Sequence, residues 1–205
     1  MKSQIDFQNY IDAGTKAYAE GDYATGGKIF LAAMKDAKRV NLKDSSLVAI
    51  LYNLAFFYSQ QQRPKKAEVL LEKALAYAEA IYGRNGDAVD HIINRLADLL
   101  VKEQQYLRAE GLYNRSLQIE RRLYGADDPR LSKKLLKVAW VQSLQNNFDT
   151  AEKHLKDALK LQINAAQAQQ AVGNSAAKKQ PLDIASDADE FIDDLIADDI
   201  ELPAN

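Results

Sequence analysis

Reactive side chains are sparse in this sequence. Its two histidines, His91 and His154, stand alone, each without a second ligand at metal-binding spacing. There is no cysteine, which removes thiolate nucleophiles, thiolate metal sites and disulfides together. No His-Glu-x-x-His, phosphate-cradling glycine loop or nucleophile elbow occurs. Glu68, Glu72 and Glu79 recur at helical spacings, the arrangement of a solvated helix face rather than of a paired acid and base. The reading is therefore no enzyme, no metal and no cofactor. Lys133-Lys134 with Lys137, and Arg121-Arg122, are local basic clusters, but no nucleic-acid recognition motif accompanies them. The chemistry that remains is recognition. Cations such as Arg95, Lys133 and Lys137 attract carboxylates, and Phe56 and Trp140 offer apolar or stacking surfaces.

Charge is divided along the chain. The net charge is −2, yet residues 181–205 hold nine acids and no Lys or Arg. The rest of the chain then carries 27 bases and 20 acids, a net of +7. A mildly basic body bears an acidic tail. The N-terminus has no apolar run behind Lys2, and the strongest apolar stretch, around Leu47 to Tyr58, is interrupted by Asn53 and too short to span a bilayer. No membrane span is expected, and the chain reads as soluble and cytoplasmic.

The elements that would position these groups are repeated. Small residues recur at Gly14, Ala55, Ala97 and Ala139, at Gly26, Ala67, Ala109 and Ala151, and at Ala33, Ala74, Ser116 and Ala158. Each set keeps spacings of 41, 42 and 42. Large apolar residues keep step at Phe30, Leu71, Tyr113 and Leu155. Within a unit the period is helical: Leu51, Leu54, Ala55 and Tyr58, then Ala67, Leu70, Leu71 and Ala74. Short polar turns separate the helices, among them Glu20-Gly21-Asp22 and Gln61-Gln62-Arg63-Pro64. Tyr124-Gly125-Ala126-Asp127-Asp128-Pro129 supplies a glycine stop, an aspartate cap and a proline start, and Tyr82-Gly83 repeats the stop. Each small residue lets one helix approach the next, and a helix pair that cannot bury its face alone must stack.

The units Asn53-Leu54-Ala55…Tyr58…Ala67-Glu68…Leu71…Ala74-Leu75 and Leu96-Ala97…Tyr106…Ala109-Glu110…Tyr113…Ser116-Leu117 resemble the tetratricopeptide repeat (TPR) family. An ordinary TPR has a period of about 34 residues. The longer unit here, with its Gly-x-x-x-Pro link, resembles the kinesin-light-chain type, over roughly residues 7–163. Repeat one departs most, with Gly14 and Gly26 in place of Ala. The resemblance implies an all-α, right-handed superhelical α-solenoid of four helix pairs (about 7–40, 47–83, 88–125 and 129–163). A helix extension or linker follows over 164–180, with a break expected at Gly173-Asn174-Ser175, and then the acidic tail over 181–205.

In that family the first helix of each pair lines a concave groove. The resemblance thus places Tyr52, Asn53, Phe56, Ser59 and Gln60 of repeat two, His91, Asn94, Arg95, Asp98 and Lys102 of repeat three, and Lys133, Lys137, Trp140, Ser143 and Leu144 of repeat four on the groove. Repeat one would add Ile11, Asp12, Thr15 and Tyr18. The implied function is a protein-interaction adaptor binding an acidic, aromatic-containing peptide or helix. Alternatives are an assembly chaperone or regulator of one client, and a self-assembling structural protein. Asn53, His91 and Arg95 also resemble the carboxylate clamp of chaperone-binding TPRs, but Ile11 and Thr15 stand where its first-repeat Lys and Asn would be.

In the tail, Ile184, Ala188, Phe191, Ile192, Leu195, Ile196 and Ile200 fall on one side of a helical wheel. Glu190-Phe191-Ile192-Asp193-Asp194 resembles the acidic, aromatic peptides that kinesin-light-chain grooves bind. Phe191, Ile192, Leu195, Ile196 and Ile200 would then form a docking motif for this groove, in the same chain or a neighbour's.

Overall fold

The computed structural model describes residues 6–176, and every described element is a helix. The eight helices among the described residues are α1 (Phe7–Ala19), α2 (Tyr23–Val40), α3 (Ser45–Gln60), α4 (Pro64–Tyr82), α5 (Asp87–Lys102), α6 (Tyr106–Tyr124), α7 (Leu131–Leu144) and α8 (Phe148–Ala176). The chain divides into two packing units, residues 1–165 and 166–205. The first is an all-α helical repeat solenoid. Of the second, the described part is the last stretch of α8. That helix runs on through Gly173-Asn174-Ser175, where a break was expected, because one glycine costs a helix only about 1 kcal/mol. The acidic tail, and the docking motif expected at Phe191, Ile192, Leu195, Ile196 and Ile200, lie outside the described residues.

The helix boundaries follow local chemistry. Asp6, Asp22 and Asp44 cap α1, α2 and α3 by accepting from the backbone N–H groups of Gln8, Thr25 and Ser46. Pro64 opens α4, where its missing N–H leaves nothing unpaired. Asp128 accepts from Arg130 N at 2.9 Å, so Pro129 sits in the turn and α7 starts two residues later, at Leu131. Inside each pair the turn has one geometry. Gly21, Gln62, Gln104 and Asn146, spaced 41, 42 and 42, all have positive φ. The following N–H reaches back to the carbonyl five residues earlier (Asp22 to Ala17, Arg63 to Tyr58, Gln105 to Leu100, Asn147 to Gln142). Between pairs, Asn41, Gly83 and Gly125 stop the helices, again with positive φ and 42 residues apart.

All twelve small repeat positions are buried. The glycines of repeat one have a steric reason. A Cβ on Gly14 would overlap the Phe30 ring, and one on Gly26 would overlap Tyr18. Phe30 stands where repeat two has Leu71, so the larger ring takes the room that alanine has elsewhere. One apolar core runs from Phe7 to Val141, and a second cluster joins Leu117, Leu131 and Leu135 to Ala158 and Leu161. On the second helices, Arg108 of α6 reaches back to Glu68 and Glu72 of α4, and Arg115 pairs with Glu79. The carboxylates expected to be merely solvated therefore tie adjacent repeats together.

Candidate functional site

The first helices α3, α5 and α7 carry most of the residues expected on a groove, and the structure sorts them by what they already touch. Asn53 and Asn94 turn inward. Asn53 donates to the Ala49 carbonyl at 2.9 Å, while Asn94 donates to the Asp90 carbonyl at 2.7 Å and to Ser116 Oγ at 3.0 Å. Tyr52 and Trp140 are partly buried against the core. His91 is exposed and lies 3.9 Å from Asp87. Lys102 and Lys133 are exposed.

Phe56 sits in an aromatic cluster. Its ring centroid lies 5.2 Å from that of Tyr18 and 5.7 Å from that of Tyr23, both edge-on, and Tyr18 also packs on Phe30 at 5.4 Å. Tyr18 donates its hydroxyl to the Asn53 carbonyl, and burial pushes its pKa up to about 12. On the other side of Phe56 is Arg95, its guanidinium carbon 5.0 Å from the ring centroid. Arg95 Nε is buried with no hydrogen-bond partner, and no carboxylate pairs with this arginine among the described residues. Phe56, Ser59, Arg95, Asp98 and Lys102 border a small recess of about 40 Å³, room for one water-sized group.

The lysines of repeat four differ from the simple expectation of free cations. Lys137 is held by Asp98 at 2.8 Å and stands over the Tyr113 ring. Its charge is already met within the protein, which leaves Arg95, Lys102 and Lys133 as the cations of the predicted set without an ion pair among the described residues. Lys134 is tucked between Asp90 at 3.2 Å and Glu120 at 3.5 Å. Burial pushes the Glu120 carboxyl up, against the pull of Lys134. A recess of about 540 Å³ opens beside these residues, lined by Glu120, Arg130, Lys133, Lys134 and Lys137 among others. The aromatic pair Tyr18–Tyr23 on Phe56 and the Asp90–Lys134–Glu120 cluster were not foreseen. The contacts of Phe56 with the two tyrosines and of Lys134 with the two acids span 14 to 44 residues, and no short-range pattern marks such a meeting.

Two family models, each described as a tetratricopeptide repeat, match residues 47–92 and 90–164. The chain belongs to the tetratricopeptide repeat family. Both matches lie outside α1 and α2, the pair whose Gly14 and Gly26 depart from the TPR pattern. No curated protein matches this TPR chain in sequence. Solved structures share its fold. BtubC (BKLC) from P. vanneervenii is 21% identical, with a TM-score of 0.73 over 89% of this chain and 71% of that one. A Podosopora anserina kinesin-light-chain structure of nearly identical TPR-like repeats is 15% identical, with a TM-score of 0.65 over 93% of both. MamA of MSR-1 is 17% identical, with a TM-score of 0.58 over 80% of this chain and 82% of that one. The fold is thus that of kinesin-light-chain-like TPR arrays. As a TPR array the chain is a protein-interaction scaffold, and its partners are proteins. No helix among the described residues is long and apolar enough to cross a membrane.

Proposed function

We propose that this TPR chain is a non-enzymatic cytoplasmic adaptor whose first-helix face holds an acidic peptide or helix carrying an aromatic anchor. One observation carries the reading. Arg95 lies over an aromatic ring at the edge of a recess, with a buried Nε and no carboxylate partner among the described residues. An unpaired, partly desolvated guanidinium is a strong site for a bidentate carboxylate. The Tyr18–Tyr23–Phe56 cluster beside it suits an aromatic side chain, and Lys102 and Lys133 add positive charge for further acids. The acidic segment 181–205 has the matching composition and would compete for the same face, in its own chain or a neighbour's.

The test is binding of a labelled acidic peptide with a central Phe or Trp, read by fluorescence polarisation against the same peptide with Asn and Gln for its acids. Arg95→Glu and Phe56→Ala should each weaken binding of the acidic peptide by about tenfold or more. Deleting residues 181–205 should raise the affinity. Equal binding of both peptides, or indifference to Arg95→Glu, overturns the site. Indifference to the deletion overturns competition by the tail alone.

A further inference from the structure

The junction of repeats three and four is charged where the junction before it is apolar. Asp90 on α5, Glu120 on α6 and Lys134 on α7 stand 42 residues after Val48, Ala78 and Ile92, all of them buried. Apolar side chains therefore suffice to close such a junction, and exchanging a buried ion pair for well-packed hydrophobic residues is often neutral or stabilising. The charged trio also does not balance. Asp90 Oδ2 lies 3.2 Å and Glu120 Oε1 3.5 Å from the one Lys134 ammonium group. Asp90 Oδ1 and Glu120 Oε2 are buried with no hydrogen-bond partner among the described residues. Asn94 gives Asp90 Oδ2 a further donor but no charge. The side chains of Asp90, Lys134 and Glu120 are 7%, 14% and 17% exposed, so water screens the excess charge little.

We infer that Asp90, Glu120 and Lys134 form a proton-operated latch between repeats three and four, closed while one of the two carboxyls is protonated and loosened when both are ionised. With one proton bound, the trio holds one anion and one cation, and the neutral carboxyl gains an O–H donor. With the proton gone, one negative charge stays buried and unmatched among three helices, a cost relieved when α7 draws away and admits water. Glu120 is the member that takes the proton. Burial raises its carboxyl most, Lys134 of α7 opposes that, Asp90 of α5 raises it further, and Arg130 of the link before α7 opposes weakly. Arg130 is itself paired with Asp128, and Lys133 and Lys137 of α7 line the recess beside Glu120. A carboxyl raised in the folded state stabilises the fold fully below its ordinary value of 4.5, and that contribution is lost as pH rises through the folded value.

The chain has a single tryptophan, Trp140, on α7 and partly buried against the core, so its fluorescence reads the seating of α7 with no ligand present. From about pH 5 to about pH 8 the emission of the full wild-type chain should shift to the red and its urea midpoint should fall, with helix content by circular dichroism unchanged before the urea transition. Glu120→Gln cannot ionise. It should abolish the red shift and hold the midpoint, so that its folding constant exceeds that of the wild type severalfold at the upper pH and not at the lower. Asp90→Asn leaves one acid for one lysine and should flatten the response as well. The triple variant Asp90→Val, Glu120→Ala, Lys134→Ile copies the preceding junction; it should fold and show no response, which keeps the test decisive if Glu120→Gln does not fold. Wild-type emission that stays constant over this range overturns the latch. A response that survives in Glu120→Gln or in the triple variant overturns it too, because the titrating group then lies outside the trio.

Discussion

Tyr113 on α6 donates its hydroxyl to the carboxylate of Asp98 on α5. The same carboxylate receives the Lys137 ammonium from α7 at 2.8 Å, so one acid joins three helices across two repeats. The Tyr113 ring is fully buried at a position filled by Phe30 and Leu71 in repeats one and two. Tyr113→Phe keeps that ring and removes only the donor. It should lower stability by about 1–2 kcal/mol in chemical denaturation. Lys137→Met in the same background should cost less than in the wild type, because the two groups share one acceptor. An unchanged denaturation midpoint for Tyr113→Phe would show that the bond contributes nothing.

Repeat one should reject the residue its sister repeats use. Gly14→Ala forces a methyl group into the Phe30 ring and is expected to destabilise by about 1–3 kcal/mol, although Ala55, Ala97 and Ala139 occupy the equivalent place. Adding Phe30→Leu, which copies repeat two, should recover part of the loss. Thermal melts of the two variants decide this, and a neutral Gly14→Ala would contradict the packing account.

The turns make a prediction of opposite sign. Gln104 has φ of 58°, a conformation glycine adopts freely and glutamine does not. Gln104→Gly should therefore stabilise the chain by a few tenths to about 1 kcal/mol. Gly125 has φ of 95° and ψ of 162°, a region almost confined to glycine, and Gly125→Ala should cost about 1–3 kcal/mol. Both are read from urea midpoints, and a destabilising Gln104→Gly would count against the argument.

The acid limb of the stability curve should carry the signature of the Asp128–Arg130 pair that precedes α7. The Arg130 guanidinium beside Asp128 lowers the pKa of that carboxyl to about 2. A depressed acid stabilises the fold above its unfolded pKa, about 3.9, and that contribution is lost as pH falls to the folded value. The melting temperature of the wild type should exceed that of Asp128→Asn at pH 5, and the gap should close as pH approaches 2. A gap that does not change with pH would assign the effect to packing.

The repeat was legible because close helix approach demands small residues at fixed intervals, and Ala55, Ala97 and Ala139 keep that interval through every insertion of polar surface. The left-handed turn at Gln62 and Gln104 was hidden, since glutamine advertises no such conformation; only Gly21 and Asn146 at the same register do so. That Phe56 and Arg95 lie on the first helices of their pairs could be read from the helical period. That Lys137 would meet Asp98, and Lys134 would meet Asp90 and Glu120, could not be read. Those pairs depend on how α5, α6 and α7 rotate against one another, which side-chain packing sets and no local pattern records. The same limit applied to Glu68 and Glu79, whose helix face was apparent while Arg108 and Arg115 on the next pair were not.

From α1 to α7, each helix packs against its neighbours in sequence, and α1 also reaches α3. A chain connected in this way has no long-range seam that must break all at once. It can come apart in steps, with interior repeats supported on two sides and end repeats on one. Amide exchange should rank the helices accordingly, with α3 to α6 slowest and α1 fastest. A partner gripping repeats two and three would then hold the most durable stretch of the molecule while its ends breathe.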